Sequence, residues 1–251
     1  MAASDITPAA SGDNQIAIII GAGSRQGIGG AMARRVSAEG LRPILVGRTR
    51  EKLERLAAEL PGDPVTIVAD ITTETGVAQV FDTADRLAAA PTVVLYNAGN
   101  MVAHDTLTMP PDIFEGAWRS GPLGGFLVGQ AAGHRMATAG KGTILFTGAT
   151  ASLRSRPPFI AFAAAKAGLR ALASGLAREL GPRGVHVAHM IIDGGVDGDQ
   201  LNGKAPDLKD RLGENGMLDP DAIAESYWAI HRQHPSAWTF EADLRPFKET
   251  F

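Results

Sequence analysis

Apolar residues gather along this chain in short, nearly unbroken runs, and the stretches between the runs are amphipathic. The runs are IAIII (16–20), PILVG (43–47), VTIVAD (65–70), TVVLYNAG (92–99), GTILFTG (142–148) and VHVAHMII (185–192). A strand with one wet face alternates apolar and polar side chains, whereas a strand covered on both faces reads as such a run. After the first run come a glycine-rich loop and an Ala-rich helix to about Glu39. Residues 49–60 form a charged amphipathic helix, 74–89 another, and 121–139 and 159–180 are longer helical stretches. Repeated strand–helix units of this kind predict an α/β fold in one domain, with a doubly wound parallel sheet covered by helices on both faces. The segment SAWTFEADLRPFKETF (236–251) holds one last short strand. Its Trp238, Phe240, Phe247 and Phe251 predict a C-terminal extension, from about residue 241, that packs on its own or a neighbouring subunit. Residues 1–14 read as a flexible tail and 15–251 as the domain.

Composition narrows the functional classes. Lys plus Arg number 24 and Asp plus Glu 27, a formal charge of 24 − 27 = −3, with no basic run. Broad electrostatic attraction to nucleic acid or to an anionic membrane is therefore not expected. With no cysteine in the chain, disulfides, thiol catalysis and thiolate metal sites are excluded. The N-terminal residues lack the basic and apolar regions of a secretory signal. No apolar run reaches the roughly 18 residues of a membrane span. A cytoplasmic protein is the expectation. The histidines do not form a ligand set. His186 and His189 are three apart on a strand and face opposite sides. His231 and His234 lie near a helix end, where the dipole favours positive charge. No metal is expected.

The loop GAGSRQGIG (21–29) stands between the first strand and the first helix. Glycines there allow a sharp turn and close approach of a pyrophosphate, and the helix N-terminus offers unpaired N–H groups. Gly21, Ser24, Arg25, Gly27 and Ile28 are the candidate contacts, with a plain structural turn as the alternative. The second strand ends in Arg48, where a carboxylate would suit the unmodified ribose of NAD. Arg25 and Arg48 together suit a 2′-phosphate, which favours NADP(H) over NAD(H). The alternative for Arg48 is that it merely opens the solvated face of the next helix.

With these features in order, the chain resembles the short-chain dehydrogenase/reductase family over nearly its whole length. The resemblance rests on the glycine loop, on Asp70 and Ile71 in VADI, on YNAG (96–99) with Asn97, Ala98 and Gly99, and on FAAAKAGLRALASGLARELGPRGVHVAHM (162–190). It implies a Rossmann-type fold, a nicotinamide cofactor, a small-molecule substrate and a homodimer or homotetramer. It further implies that Asp70 contacts adenine and that the turn at 97–99 supports the adenosine side. Of the family's catalytic Asn, Ser, Tyr and Lys, only lysine matches, at Lys166. Phe162 stands at the tyrosine position, Ala149 at the serine position and Gly121 at the asparagine position. Thr147, Thr150 and Ser152 flank Ala149 as possible substitutes. The two tyrosines do not rescue the site by position: Tyr96 lies in the YNAG turn and Tyr227 reads as packed in a late helix.

Two further departures matter. Gly21 and Gly27 are six apart, two more than the family's usual loop. In IIDGGVDGD, Asp193 takes the place of a proline that the family puts after the sixth strand. Asp193 and His104 are therefore alternative proton donors or bases beside Lys166, with an Asx-turn as the structural alternative for Asp193. The polar segment 206–220 falls where the family has a substrate lid and reads as flexible. By the resemblance, the Ala- and Gly-rich helices at 121–139 and 159–180 form a four-helix bundle between subunits; packing on the chain's own sheet is the plainer reading, and both can hold at once. Positioned acid catalysis contributes on the order of 10²–10⁴-fold, and Phe162 cannot supply it. The expectation is an atypical NADP(H)-dependent oxidoreductase acting on a small, fairly apolar organic molecule. The alternative is a cofactor-binding relative without redox turnover, either a non-redox enzyme or a binding protein.

Overall fold

The structure, a computed structural model, describes residues 15–88, 90–99 and 101–249. The tail at 1–14 and Phe251 lie outside the described residues. Seven strands form one sheet in the order β3-β2-β1-β4-β5-β6-β7, and every neighbouring pair is parallel. They are β1 (Ile16–Ile20), β2 (Arg42–Gly47), β3 (Val65–Val68), β4 (Val93–Tyr96), β5 (Gly142–Thr147), β6 (Val185–Ile192) and β7 (Glu241–Leu244). The helices are α1 (Ile28–Ala38), α2 (Arg50–Ala57), α3 (Glu74–Asp85), α4 (Pro111–Trp118), α5 (Gly124–Ala139), α6 (Ile160–Leu180), α7 (Asp199–Lys204), α8 (Leu208–Leu212) and α9 (Pro220–His231). The architecture is the expected doubly wound, Rossmann-type α/β fold.

Alternate residues of the buried strands feed two cores. Ile16, Ile18 and Ile20 pack with Phe81 of α3, Val128 and Met136 of α5 and Leu169 of α6. Ala17 and Ile19 pack with Met32 and Val36 of α1, Leu53 of α2 and Tyr227 of α9. The near-continuous apolar runs are thus explained by helices on both faces.

Glycines on α5 set its closeness to α6. A Cβ at Gly125, Gly129 or Gly133 would stand 2.5, 2.7 or 2.8 Å from Leu169, Leu176 or Leu180 respectively. This stripe, one residue every four, is filled by leucines of the same chain, so these small residues serve packing within the subunit. The predicted helix 121–139 begins differently from the expectation. A π-helical turn at Arg119–Leu123, with Pro122 inside it, joins α4 to α5. Proline cannot donate to the ladder, and the wider turn accommodates the loss.

Three other expectations gain structural detail. By length and composition, the stretch Ile160–Arg183 is long and apolar enough to cross a membrane. The sequence criterion of an unbroken run missed it because Lys166 and Arg170 interrupt it. Its inner face is spent on the protein core through Leu169, Ala173 and Leu180. The segment 206–220 is partly ordered by packing: it contains α8, Met217 and Leu218 are buried, and Leu218 bridges Val196. At the C-terminus, Trp238 stacks on His186 at 4.8 Å and Phe240 packs on the first core, but Phe247 is 77% exposed.

Candidate functional site

At the C-terminal edge of the sheet, connections from β1 and β4 lead away on opposite sides of the strand order, which opens a crevice between them. Gly21 (φ +88°) and Asn97 form its floor. A Cβ at Gly21 would lie 2.8 Å from the Asn97 carbonyl oxygen, so glycine is required there. The Asn97 N–H donates to the Ile20 carbonyl at 2.9 Å, and its side-chain amide reaches the Gly21 carbonyl at 3.4 Å. Gly29 and Gly30 seat α1 directly on the loop, since a Cβ on either would come within 2.3 Å of a loop carbonyl.

Gly23 is different. A Cβ added there would meet nothing closer than Lys52 Cδ, at 4.0 Å. Gly27 caps α1 without a side-chain hydrogen bond, which leaves first-turn N–H groups to an outside acceptor. Ile28 starts the helix and packs against the second core. This donor-rich cradle fits a dinucleotide pyrophosphate.

Cations surround the cradle. Arg25 is exposed and paired with Glu59 at 2.6 Å. Arg48 is exposed and near enough to Asp70 to act on its charge. Lys52, in the first turn of α2, was missed from sequence because nothing in REKLERLA marks one lysine as facing the loop. Asp70 Oδ1 accepts from the Thr72 N–H at 3.0 Å and from its hydroxyl at 2.8 Å, and these bonds hold its carboxyl below the usual range. Asp70 thus fixes the turn after β3. The Ile71 side chain is in the core, and Ala98 packs partly against it.

Lys166 enters from α6. It is 8% exposed, and its Nζ donates to the Thr147 carbonyl at 2.7 Å. The Phe162 ring lies 5.7 Å from the ammonium, and Gly99 (φ +143°) faces it, with a Cβ there standing 3.8 Å from Nζ. Burial pushes the lysine pKa down to about 8. Gly99, Thr147, Phe162 and Lys166 therefore meet at one point, at the ends of β4 and β5.

The substitutes for the serine position are all engaged. The Thr147 hydroxyl accepts from Tyr227 at 3.1 Å, the Thr150 hydroxyl donates to Asp193, and Ser152 is buried and accepts from the Ala149 N–H at 3.1 Å. Gly121 is buried against Ala165, 3.0 Å from where its Cβ would be. Neither tyrosine is available as an acid. Tyr96 is buried and donates to the Ser120 carbonyl at 2.7 Å, Tyr227 is equally buried, and desolvation raises both phenols.

Asp193 is 6% exposed. Thr150 donates to it, Arg245 pairs with it at 3.3 Å and Arg154 stands at 4.0 Å. His104 lies against the turn that leads into α6. Its N–H donates to the Pro158 carbonyl, and its Nδ1 lies 2.9 Å from the Asp105 carbonyl oxygen. One histidine expectation is overturned. His231, at the end of α9, does not carry a positive charge for the helix dipole. It is bonded to the Thr143 hydroxyl at 2.8 Å, and desolvation pushes its pKa down to about 4.

Comparison with known proteins agrees with this geometry. Residues 15–208 match the short chain dehydrogenase family model. An uncharacterized oxidoreductase of Staphylococcus aureus (strain N315) is 28% identical over 234 residues, covering 93% of this chain and 97% of the relative. Galactitol 2-dehydrogenase (L-tagatose-forming) of Cereibacter sphaeroides is 34% identical over 179 residues, 70% of this chain and 69% of that protein. A crystal structure of a short-chain dehydrogenase from Rhodopseudomonas palustris superposes with a TM-score of 0.79 at 35% identity, covering 94% of this chain and 100% of the other. The chain belongs to the short chain dehydrogenase family.

Proposed function

We propose that the protein is an NADP(H)-linked oxidoreductase in which the Lys166 amine, rather than a phenol, handles the proton, and that its substrate is a small, largely apolar organic molecule. The observation that carries this reading is Lys166 itself. It is buried, close to Gly99 at the crevice, and has a pKa of about 8, near enough to neutrality for exchange in either direction. The nicotinamide, when bound, gives or takes a hydride. Gly23 and the start of α1 would hold its pyrophosphate, and Arg25, Arg48 and Lys52 its 2′-phosphate. Gly21, Ser24, Gly27, Ile28, Asp70, Ile71, Asn97, Ala98 and Gly99 complete the cradle and its supports.

The remaining side chains limit the chemistry. Phe162 offers an apolar wall, and neither Ala149 nor Gly121 can hydrogen-bond a carbonyl oxygen through its side chain. Alcohol–ketone turnover of the kind named for the galactitol relative is therefore not carried over. Iminium ions, already activated, and conjugated alkenes place smaller demands on an acid. His104, at the entry, is the second proton donor in this scheme. Asp193 is enclosed by Thr150 and Arg245, which assigns it to fixing the end of β6, so the Asx-like structural role is favoured over a catalytic one.

A second reading is favoured by one observation, the full engagement of Thr147, Thr150 and Ser152: a protein that binds the cofactor without redox turnover. Fluorescence titration with NADPH and NADH, followed by turnover assays on a cyclic imine, an activated alkene and a ketone, separates the two. Micromolar NADPH binding, weaker NADH binding, and imine or alkene reduction lost in Lys166→Ala are expected. Binding without turnover supports the second reading, and binding of neither nucleotide refutes both.

A further inference from the structure

The segment after β6 folds back and touches the glycine loop. The Ser24 hydroxyl donates to Asp199 Oδ2 at 2.8 Å, and the Gln26 N–H donates to the same oxygen at 3.2 Å. The Asp199 N–H returns a bond to the Gln26 carbonyl at 2.8 Å. Gly198 makes the approach possible, since a Cβ there would stand 2.6 Å from that carbonyl oxygen. Ser24, expected to face a phosphate, and the neighbouring Gln26 N–H are thus taken by a carboxylate from 175 and 173 residues away in sequence.

The contact belongs to a tied unit. Val196 bridges Leu218, and Asp197 pairs with Lys209 at 2.7 Å and accepts from Asn202 at 2.8 Å. Asp199 itself is exposed, so it can leave the loop without opening the core.

We infer that Asp199 is a built-in anion on the glycine loop, and that the exposed segment around α7 must lift it away before an anionic dinucleotide can enter. The inference rests on the cofactor reading above. A pyrophosphate and a carboxylate cannot share the Ser24 and Gln26 donors, and their like charges repel at contact distance. The closed segment therefore holds the crevice shut in the free protein, and cofactor entry is coupled to movement of the residues that border the substrate.

The test is NADPH fluorescence titration of the wild-type chain and of Asp199→Asn, which keeps the shape and removes the charge. The variant is expected to bind about five- to tenfold more tightly. A second readout is tryptic cleavage after Lys204 with and without NADPH, which should accelerate in the wild type as the segment lifts. Equal or weaker affinity in the variant, or protection of Lys204 by NADPH, would overturn the inference while leaving the cofactor reading intact. Binding by the variant alone would support it outright. Failure of both chains to bind NADPH would remove the cofactor reading and this inference with it.

Discussion

Enclosing Lys166 costs stability, because burial disfavours its ammonium form and the Thr147 carbonyl only partly compensates. Its folded pKa of about 8 lies below the unfolded value of 10.5. Between these values the unfolded chain binds more protons, so stability rises with pH. The penalty is fully present below about pH 8 and is relieved as pH approaches 10.5. Lys166→Met, similar in shape and uncharged, should therefore raise stability at pH 7 by about 1–3 kcal/mol, and the gain should shrink by pH 10.5. Urea denaturation of both chains at the two pH values checks this, and a constant or absent gain refutes the desolvation account. The residue was legible in the sequence because its motif places it on α6 opposite the glycine loop. Asp199 and Lys52 were not, because each reaches the loop from a separate element and only the folded chain brings them together.

Elements show the same division between local signal and tertiary placement. The five inner strands could be read directly because burial on both faces leaves a continuous apolar run, and the edge strand β3 because VTIV is largely apolar and β-branched. β7 could be read only weakly: EADL is polar, and its Glu241 is held by Arg170, through two bonds of 2.6 and 2.7 Å, and by His189 at 2.9 Å. At the end of α9, burial of His231 outweighs the helix dipole, and a dipole argument from sequence carries no burial. For His231, with a folded pKa of about 4 against 6.5, the unfolded chain binds more protons between those values. Stability is thus lost as pH falls from 6.5 towards 4, by about 2–3 kcal/mol. His231→Gln should flatten that slope, measured as denaturation midpoints across this range, and an unchanged slope would place the acid sensitivity elsewhere. On α5, Gly129→Val should cost about 1–3 kcal/mol by overpacking against Leu176. A urea midpoint unchanged from wild type would show that α5 and α6 can separate freely.

At the scale of the molecule, the outer faces of α4 and α5 present Phe114, Trp118 and Phe126, each more than 40% exposed. Trp118, Pro122, Leu123, Phe126 and Leu172 line an apolar groove of about 250 Å³. We propose that the homo-oligomer implied by the family resemblance makes contact through this groove, and Trp118→Glu should then shift the mass in light scattering towards the monomer. A wild-type chain that is already monomeric would rule this out. Finally, β1 pairs with β2 on one side and β4 on the other, with Ile18 beside both Ile44 and Val94. No hairpin can nucleate such a sheet, because parallel neighbours are joined only through long crossovers. The register between β1 and β4 requires closing a loop that spans two intervening strands and three helices, and loop closure precedes any reward from pairing. The seam beneath the proposed cofactor crevice is therefore a long-range closure that folding must complete. Substitutions in β1 that weaken its pairing with β4 should slow the renaturation of this protein as well as lower its stability.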